Sequence, residues 1–201
     1  TLILMSFWFY GYFNPNYLWI MCSSIIVNYL LSQLLQRKWE MSAAQIAVLK
    51  KSLLAIGLIF NLGLIFYFKY YDFFVDNLNK VFSTDFQLKN IVLPLGISFF
   101  TFQQVSYMVD SYRGETKEYN FADYALFVTF FPQLIAGPIV LHNEVLPQFE
   151  DKNNWKINWD NMAHGLYMFA AGLVKKAVIA VTLSVSVAWG YGHLSQNLTS
   201  M

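Results

Sequence analysis

Tyr17-Leu-Trp-Ile-Met-Cys-Ser-Ser-Ile-Ile-Val-Asn-Tyr-Leu-Leu-Ser-Gln-Leu-Leu-Gln36 decides the fold class. The stretch holds no Asp, Glu, Lys or Arg, and it stops where Arg37 and Lys38 begin. A helix that crosses roughly 30 Å of hydrocarbon needs about 20 mostly apolar residues, and this segment has that length. Working outward, charge is absent from Thr1 to Gln36, Ser52 to Phe68, Asn90 to Val109, Tyr124 to Asn143 and Ala177 to Met201. The whole chain of 201 residues is 57% hydrophobic, 19% aromatic and 12% charged, whereas soluble chains carry about 25% charged residues. A soluble surface cannot be built from that composition. The runs are continuous, so they lack the alternation of a transmembrane β-barrel.

These features predict an all-α, polytopic transmembrane helical bundle of about six spans plus interfacial helices. The expected spans are Thr1 to Phe13, Tyr17 to Gln36, Ser52 to Tyr71, Leu93 to Ser111, Phe121 to Val140 and Asp160 to Ala180, with an apolar tail to Trp189. Residues 1–201 read as a single membrane domain. Thr1 opens inside an apolar run and Ser200-Met201 shows no terminal cap, so the chain is expected to be the N-terminal portion of a longer protein, cut at both ends. The net charge of +1 gives no reason to expect nucleic acid. Lone Cys22 lies in a span and says nothing about compartment.

Basic residues in short loops set orientation. Arg37, Lys38, Lys50 and Lys51 place the loop after the second span in the cytoplasm, and alternation adds Arg113, Lys117, Lys175 and Lys176 to that side. Lys69, Lys80, Lys89, Lys152 and Lys156 fall outside. From Tyr70 to Leu88, aromatics stand opposite Asp72, Asp76 and Lys80, as in a helix lying in the membrane interface.

The polar residues form two groups. In Leu93-Pro-Leu-Gly-Ile-Ser-Phe99 and onward to Gly114, Gly96, Gln103, Tyr107, Asp110 and Gly114 recur at separations that share one helical face. Lipid offers such groups no partners, so the face is expected to meet protein or a cavity. It can line a passage, or it can serve as helix-helix glue. Asp110 and Arg113 are spaced to pair, and Pro94 suits a helix's first turn. In Phe130-Phe-Pro-Gln-Leu-Ile-Ala-Gly-Pro-Ile139, Pro132 and Gly137-Pro138 are expected to break the helix at membrane depth, freeing carbonyls and placing Gln133 beside the break. His142 follows the break, His164 lies near the start of an apolar helix and His193 in the tail. None has a ligand partner at i+3 or i+4. No metal site and no catalytic residue are expected, and Gly96, Gln103, Tyr107, Asp110, Gln133 and His142 stand as substrate-passage candidates.

Leu93-Pro-Leu-Gly-Ile-Ser-Phe99 with Ser106-Tyr-Met-Val-Asp-Ser-Tyr-Arg-Gly114, then Pro132-Gln-Leu-Ile-Ala-Gly-Pro-Ile139, then Gly172-Leu-Val-Lys-Lys-Ala-Val-Ile-Ala180, resembles the membrane-bound O-acyltransferase (MBOAT) family, in its bacterial alginate O-acetylation branch. Phe66-Tyr-Phe-Lys-Tyr-Tyr71 fits the third span of that branch. The resemblance runs over essentially the whole chain. It implies an enzyme of the bacterial cytoplasmic (inner) membrane. That enzyme passes an acyl group, acetyl in this branch, from a cytoplasmic thioester donor to an extracytoplasmic polysaccharide or cell-envelope polymer. Acetyl-CoA or an acyl-carrier would be substrate, with no tightly bound cofactor. A periplasmic or surface acyltransferase would be the partner, besides the lipid bilayer. The family's catalytic histidine belongs to a Trp-His-Gly-like motif with no counterpart among these residues. Val181 stands where relatives continue with Asp, and Leu141-His142 where several have Arg. Those departures mark a branch with another acceptor or partner, or an inactive member. The rival expectation is a transporter segment or a non-catalytic membrane scaffold.

Overall fold

The computed structural model describes residues 2–134, 137, 140–151, 154 and 156–198, without the side chains of 192–198. Among these residues every regular element is helical. The chain divides into two compact units, Thr1–Glu150 and Asp151–Met201.

The first unit opens with α1 (Leu2–Phe13) and α2 (Pro15–Gln36). Asn14 sits between them and caps α2, accepting a hydrogen bond from the Asn16 N–H at 3.0 Å. Pro15 takes the first helical position, where a missing N–H costs nothing. Helix α3 (Ala43–Ile65) starts from a capping box in which Ser42 Oγ and the Gln45 side chain each accept the other's backbone N–H. A π-helical turn, Phe66–Tyr70, then leads into α4 (Tyr71–Phe82). The continuous stretch Ala43–Phe82 is 40 residues, about 60 Å at 1.5 Å per residue, which is far more than the hydrocarbon needs. Its second half leaves the apolar pattern, with Asp76 and Lys80 paired at 2.6 Å. The loop that follows folds back on α4, where Asp72 accepts the N–H groups of Lys89 and Ile91 at 2.8 and 2.9 Å.

Helix α5 (Ile97–Arg113) packs against both α2 and α3, which also touch each other. Pro94 is not in its first turn but in the turn before it, where its carbonyl accepts from Ile97 N at 3.3 Å. Gly96 caps the helix at φ +66°, a left-handed conformation that only glycine adopts without penalty. At the other end Gly114 (φ +78°) donates to Ser111 O, and Glu115 N donates to Asp110 O, the Schellman pattern. Cross-helix contacts fix relative directions. Tyr17 bonds Val92 O, Ser24 bonds Gln104 and Gln36 bonds Ser111, so α2 and α5 run parallel. Asn28 bonds Asn61, while Gly57 faces Leu31 and Met108, so α3 runs antiparallel to α2.

The expected span Phe121–Val140 is not one helix. Helix α6 (Phe121–Thr129) is capped by Asn120 and ends at Phe130, whose ψ of 101° breaks the ladder. A proline ring clashes with the carbonyl four residues earlier, so the break falls two residues ahead of Pro132. Pro132 then sits in the first turn of α7 (Phe131–Leu134), where it is harmless. Pro138 and Ile139 lie outside the described residues. Helix α8 (His142–Glu150) packs against α6.

The second unit holds α9 (Trp159–Val174), capped by Asn158, a π-helical stretch Lys175–Ala180, and α10 (Val181–Leu198). No residue of α9 is buried by its own chain. Among the described residues three helices, against about six expected spans, are long and apolar enough to cross a membrane: Pro15–Gln36, Ala43–Phe82 and Trp159–Tyr191. Outward aromatics such as Trp8, Trp19 and Phe73 suit a lipid surround rather than water.

Candidate functional site

Two buried polar clusters thread the first unit. The deeper one joins α2, α3 and α5. Asn28 and Asn61 exchange side-chain hydrogen bonds at 3.2 and 2.6 Å, and each also bonds the carbonyl one turn earlier, Ser24 O and Gly57 O. Ser24 Oγ donates to Gln104 Oε1 at 3.3 Å. All four side chains are buried. Asparagines that satisfy each other between apolar helices hold those helices in register.

The second cluster begins one turn further along α5, at Tyr107, where α2, α6 and α8 meet it. The imidazole of His142 is 3% exposed and stands edge-on to Tyr107, ring centroids 5.1 Å apart. Tyr124 packs on the same tyrosine at 4.8 Å, and Tyr29 packs on Tyr124 at 5.5 Å. His142 Nδ1 lies 3.5 Å from Asp110 Oδ2 without the geometry of a hydrogen bond. Burial pushes the imidazole below its ordinary pKa of 6.5, and the Asp110 carboxylate pulls partly the other way. Tyr119 is held above the usual phenol range, first by burial and then by the carboxylates of Glu150 and Asp123. Its carbonyl accepts from Tyr29 Oη at 3.3 Å. Below this group, Gln36 Nε2 donates to Ser111 Oγ at 2.9 Å, and Thr116 donates to the same oxygen at 3.2 Å.

Several atoms of this cluster find no hydrogen-bond partner among the described residues: Gln36 Oε1, Ser32 Oγ, the hydroxyls of Tyr107 and Tyr124, and His142 Nδ1. Tyr107 and Gln36 face each other closely but not in bonding geometry. A buried polar atom left in that state costs about 1–3 kcal/mol, and five of the nine such side-chain atoms among the described residues lie here, the others being on Ser6, Tyr10, Thr101 and Gln104.

Of the passage candidates, Gln103 and Tyr107 are buried on α5, Asp110 is one-fifth exposed beside His142, and Gly96 touches α7. A Cβ on Gly96 would stand 2.8 Å from Leu134 O. Gln133 is half-buried in α7, next to the backbone of Gly137. Thus Tyr107, Asp110 and His142 come together, while Gly96 meets Leu134, the chain neighbour of Gln133, at the N-terminal end of α5. Asp110 faces His142 rather than pairing with Arg113. His164 is exposed on α9, and the side chain of His193 lies outside the described residues. Among the described residues no three His, Cys, Asp or Glu side chains gather as metal ligands would. Reading the sequence alone missed Gln36, Tyr119, Tyr124 and the Asn28–Asn61 pair. The spacing Tyr29, Ser32, Gln36 along one face of α2 was the available signal.

The model of the MBOAT, membrane-bound O-acyltransferase family matches residues 52–189. A peptidoglycan O-acetyltransferase of Helicobacter pylori is 41% identical, covering 89% of this chain and 38% of its own length. A probable alginate O-acetylase AlgI of Pseudomonas aeruginosa is 34% identical over 91% of this chain and 35% of its own, and one from Azotobacter vinelandii 32% over 91% and 36%. The chain therefore spans less than two-fifths of the length of the curated relatives it matches. No solved structure matches it.

Proposed function

This chain belongs to the membrane-bound O-acyltransferase family, and from that premise we propose that it forms part of an enzyme that O-acetylates a cell-envelope polysaccharide. The observation that carries the reaction class is the 41% identity with a peptidoglycan O-acetyltransferase across 89% of the chain. The donor is a cytoplasmic acetyl thioester, acetyl-CoA or an acyl-carrier. The acceptor is an extracytoplasmic polymer of the peptidoglycan or alginate kind, reached with a periplasmic or surface acyltransferase as partner.

The protein sits in the bacterial inner membrane with the stretch from Arg37 to Lys51 in the cytoplasm, and since His142 returns beside Asp110 and Tyr119, next to where α6 starts, the fifth of the six expected spans does not change sides. The parallel course of α2 and α5, and the reversed course of α3, support alternation among those three helices. So do the basic residues gathered at one end of these helices. Acyl transfer needs a base within reach of the attacking hydroxyl and a route that excludes bulk water. The helices here supply the wall of that route, with Gln103, Tyr107 and Asp110 as its polar lining, while the family resemblance puts the base in a Trp-His-Gly motif outside residues 1–201.

The test is acetylation of envelope polymer in cells lacking the native enzyme, complemented with the full-length protein, with residues 1–201 alone, or with the full-length protein altered at the Trp-His-Gly histidine. Acetylation by the intact full-length protein alone is the expected result. Activity from residues 1–201 would move the chemistry to His142, His164 or His193. Activity that survives the His→Ala change would favour a transporter or a scaffold.

A further inference from the structure

The unpartnered atoms around Tyr107 are not scattered. Ser32 and Gln36 lie one turn apart on the same face of α2, Tyr107 faces Gln36, Tyr124 packs on Tyr107, and the His142 ring stands edge-on to Tyr107. Ser32, Tyr107 and Tyr124 are fully buried and His142 is 3% exposed. Gln36 has two settings. Its Oε1 is buried without a partner, yet the residue also lines an open cleft with Gln33, Arg37, Lys38 and Glu118. It thus stands between solvent and the buried group.

An apolar ligand would leave these hydroxyls, amide oxygen and imidazole nitrogen unpaired, and a chain of small hydrogen-bonding molecules would not. Hydroxyls both donate and accept, the amide oxygen accepts, and a neutral imidazole has one nitrogen of each kind. Water, which seeks two to four polar partners, matches that mixture. We propose that the buried polar groups of Ser32, Gln36, Tyr107, Tyr124 and His142 bind water, in a short hydrogen-bonded file that joins the His142 imidazole to the Gln36–Arg37 cleft. Through it the deeply buried His142 exchanges protons with the solution at that face of the protein. The Asn28–Asn61 pair, whose side chains bond one another, is the comparison in the same unit. The inference is independent of the acyltransferase reading and stands if that reading fails.

The full-length protein, reconstituted in lipid bilayers with 15N-labelled histidine and asparagine, tests it by solid-state NMR. Polarisation is transferred from water protons to side-chain nitrogens. The His142 signal is identified by its loss in His142→Gln, and the Asn28 and Asn61 signals in the same way. Transfer to His142 should build up several-fold faster than transfer to the Asn28–Asn61 amides, and Gln36→Leu should slow it several-fold with the asparagine signals unmoved. If Gln36→Leu fails to fold, Tyr124→Phe, which keeps the ring and removes one hydroxyl, should slow it as well. Build-up at His142 as slow as at the asparagines would overturn the proposal. So would an unchanged rate in whichever of the two variants is folded.

Discussion

His142 and Asp110 approach each other to 3.5 Å from separate elements, α8 and the last turns of α5. The imidazole is buried and the carboxylate is partly exposed. Of two opposed influences on His142, burial therefore outweighs the nearby negative charge, and the folded protein holds the ring neutral to lower pH than an unfolded chain would.

That imbalance predicts an acid-sensitive first unit. Because the folded-state pKa lies below 6.5, the unfolded chain binds the proton first as pH falls. Stability is then fully present above 6.5 and declines below it, until the folded-state pKa is reached. Thermal unfolding in detergent between about pH 8 and pH 5 should show this loss, and His142→Gln should flatten it. Asp110→Asn should steepen the loss, since the carboxylate's pull on the imidazole is gone. An Asp110→Asn protein with a shallower acid slope than the parent would contradict the assignment.

A glycine series should separate backbone strain from crowding. Gly63→Ala lies in α3 with nothing near its added carbon, and should be neutral or stabilise by about 0.5–1 kcal/mol. Gly114→Ala has the same open space but a φ of +78°, so it should cost about 1–2 kcal/mol. Gly96→Ala combines φ +66° with a backbone oxygen at 2.8 Å, and should be the worst of the three. Melting temperatures of the purified proteins rank them, and equal losses at Gly96 and Gly114 would remove the contact with Leu134 from the explanation.

Asn28 and Asn61 should behave as a unit. Either Asn→Leu change strands the remaining amide in an apolar setting, at a cost of about 1–2 kcal/mol. The double change strands nothing, so it should be milder than the two single losses added together. A double-mutant cycle from unfolding measurements in bicelles reads the difference, and strict additivity would mean that the two side chains are not coupled.

Topology has a direct check. With Cys22 replaced by Ser, single cysteines at Met41 and at Thr84 should react oppositely with an impermeant thiol reagent in intact cells. Thr84→Cys should be labelled and Met41→Cys protected until the cells are opened. Labelling of both positions before lysis would break the alternation drawn from α2, α3 and α5.

How far the sequence disclosed this structure depends on what each feature answers to. Spans answer to hydration of charge, a local property, so breaks after Gln36 and after Arg113 were visible, but the charges at Lys50 and Lys51 hid that α3 already begins at Ala43. The stripe on α5 answers to helical period, and Gln103 and Tyr107 are buried as that period implied. The site around His142 answers to the crossing of helices distant in the chain. Nothing near Gln36 announces that α2 lies parallel to α5, and nothing near Tyr124 announces that α6 presents it to Tyr107. Pro132 signalled an interruption, but steric reach moved that interruption back to Phe130.

The π-helical turn at Phe66–Tyr70 carries one more residue in its turn than the helices it joins. An extra residue advances everything after it by about 100° around the axis. The direction in which α4 points Asp72, and so its grip on the Lys89 and Ile91 amides, is thus set by residue count upstream and not only by residue type. Deleting a single residue between Phe66 and Tyr70 would leave composition, hydropathy and helix nearly untouched while turning that carboxylate a quarter-circle away from its loop. In this stretch a change in length is a change in direction, and substitutions alone would never reveal it.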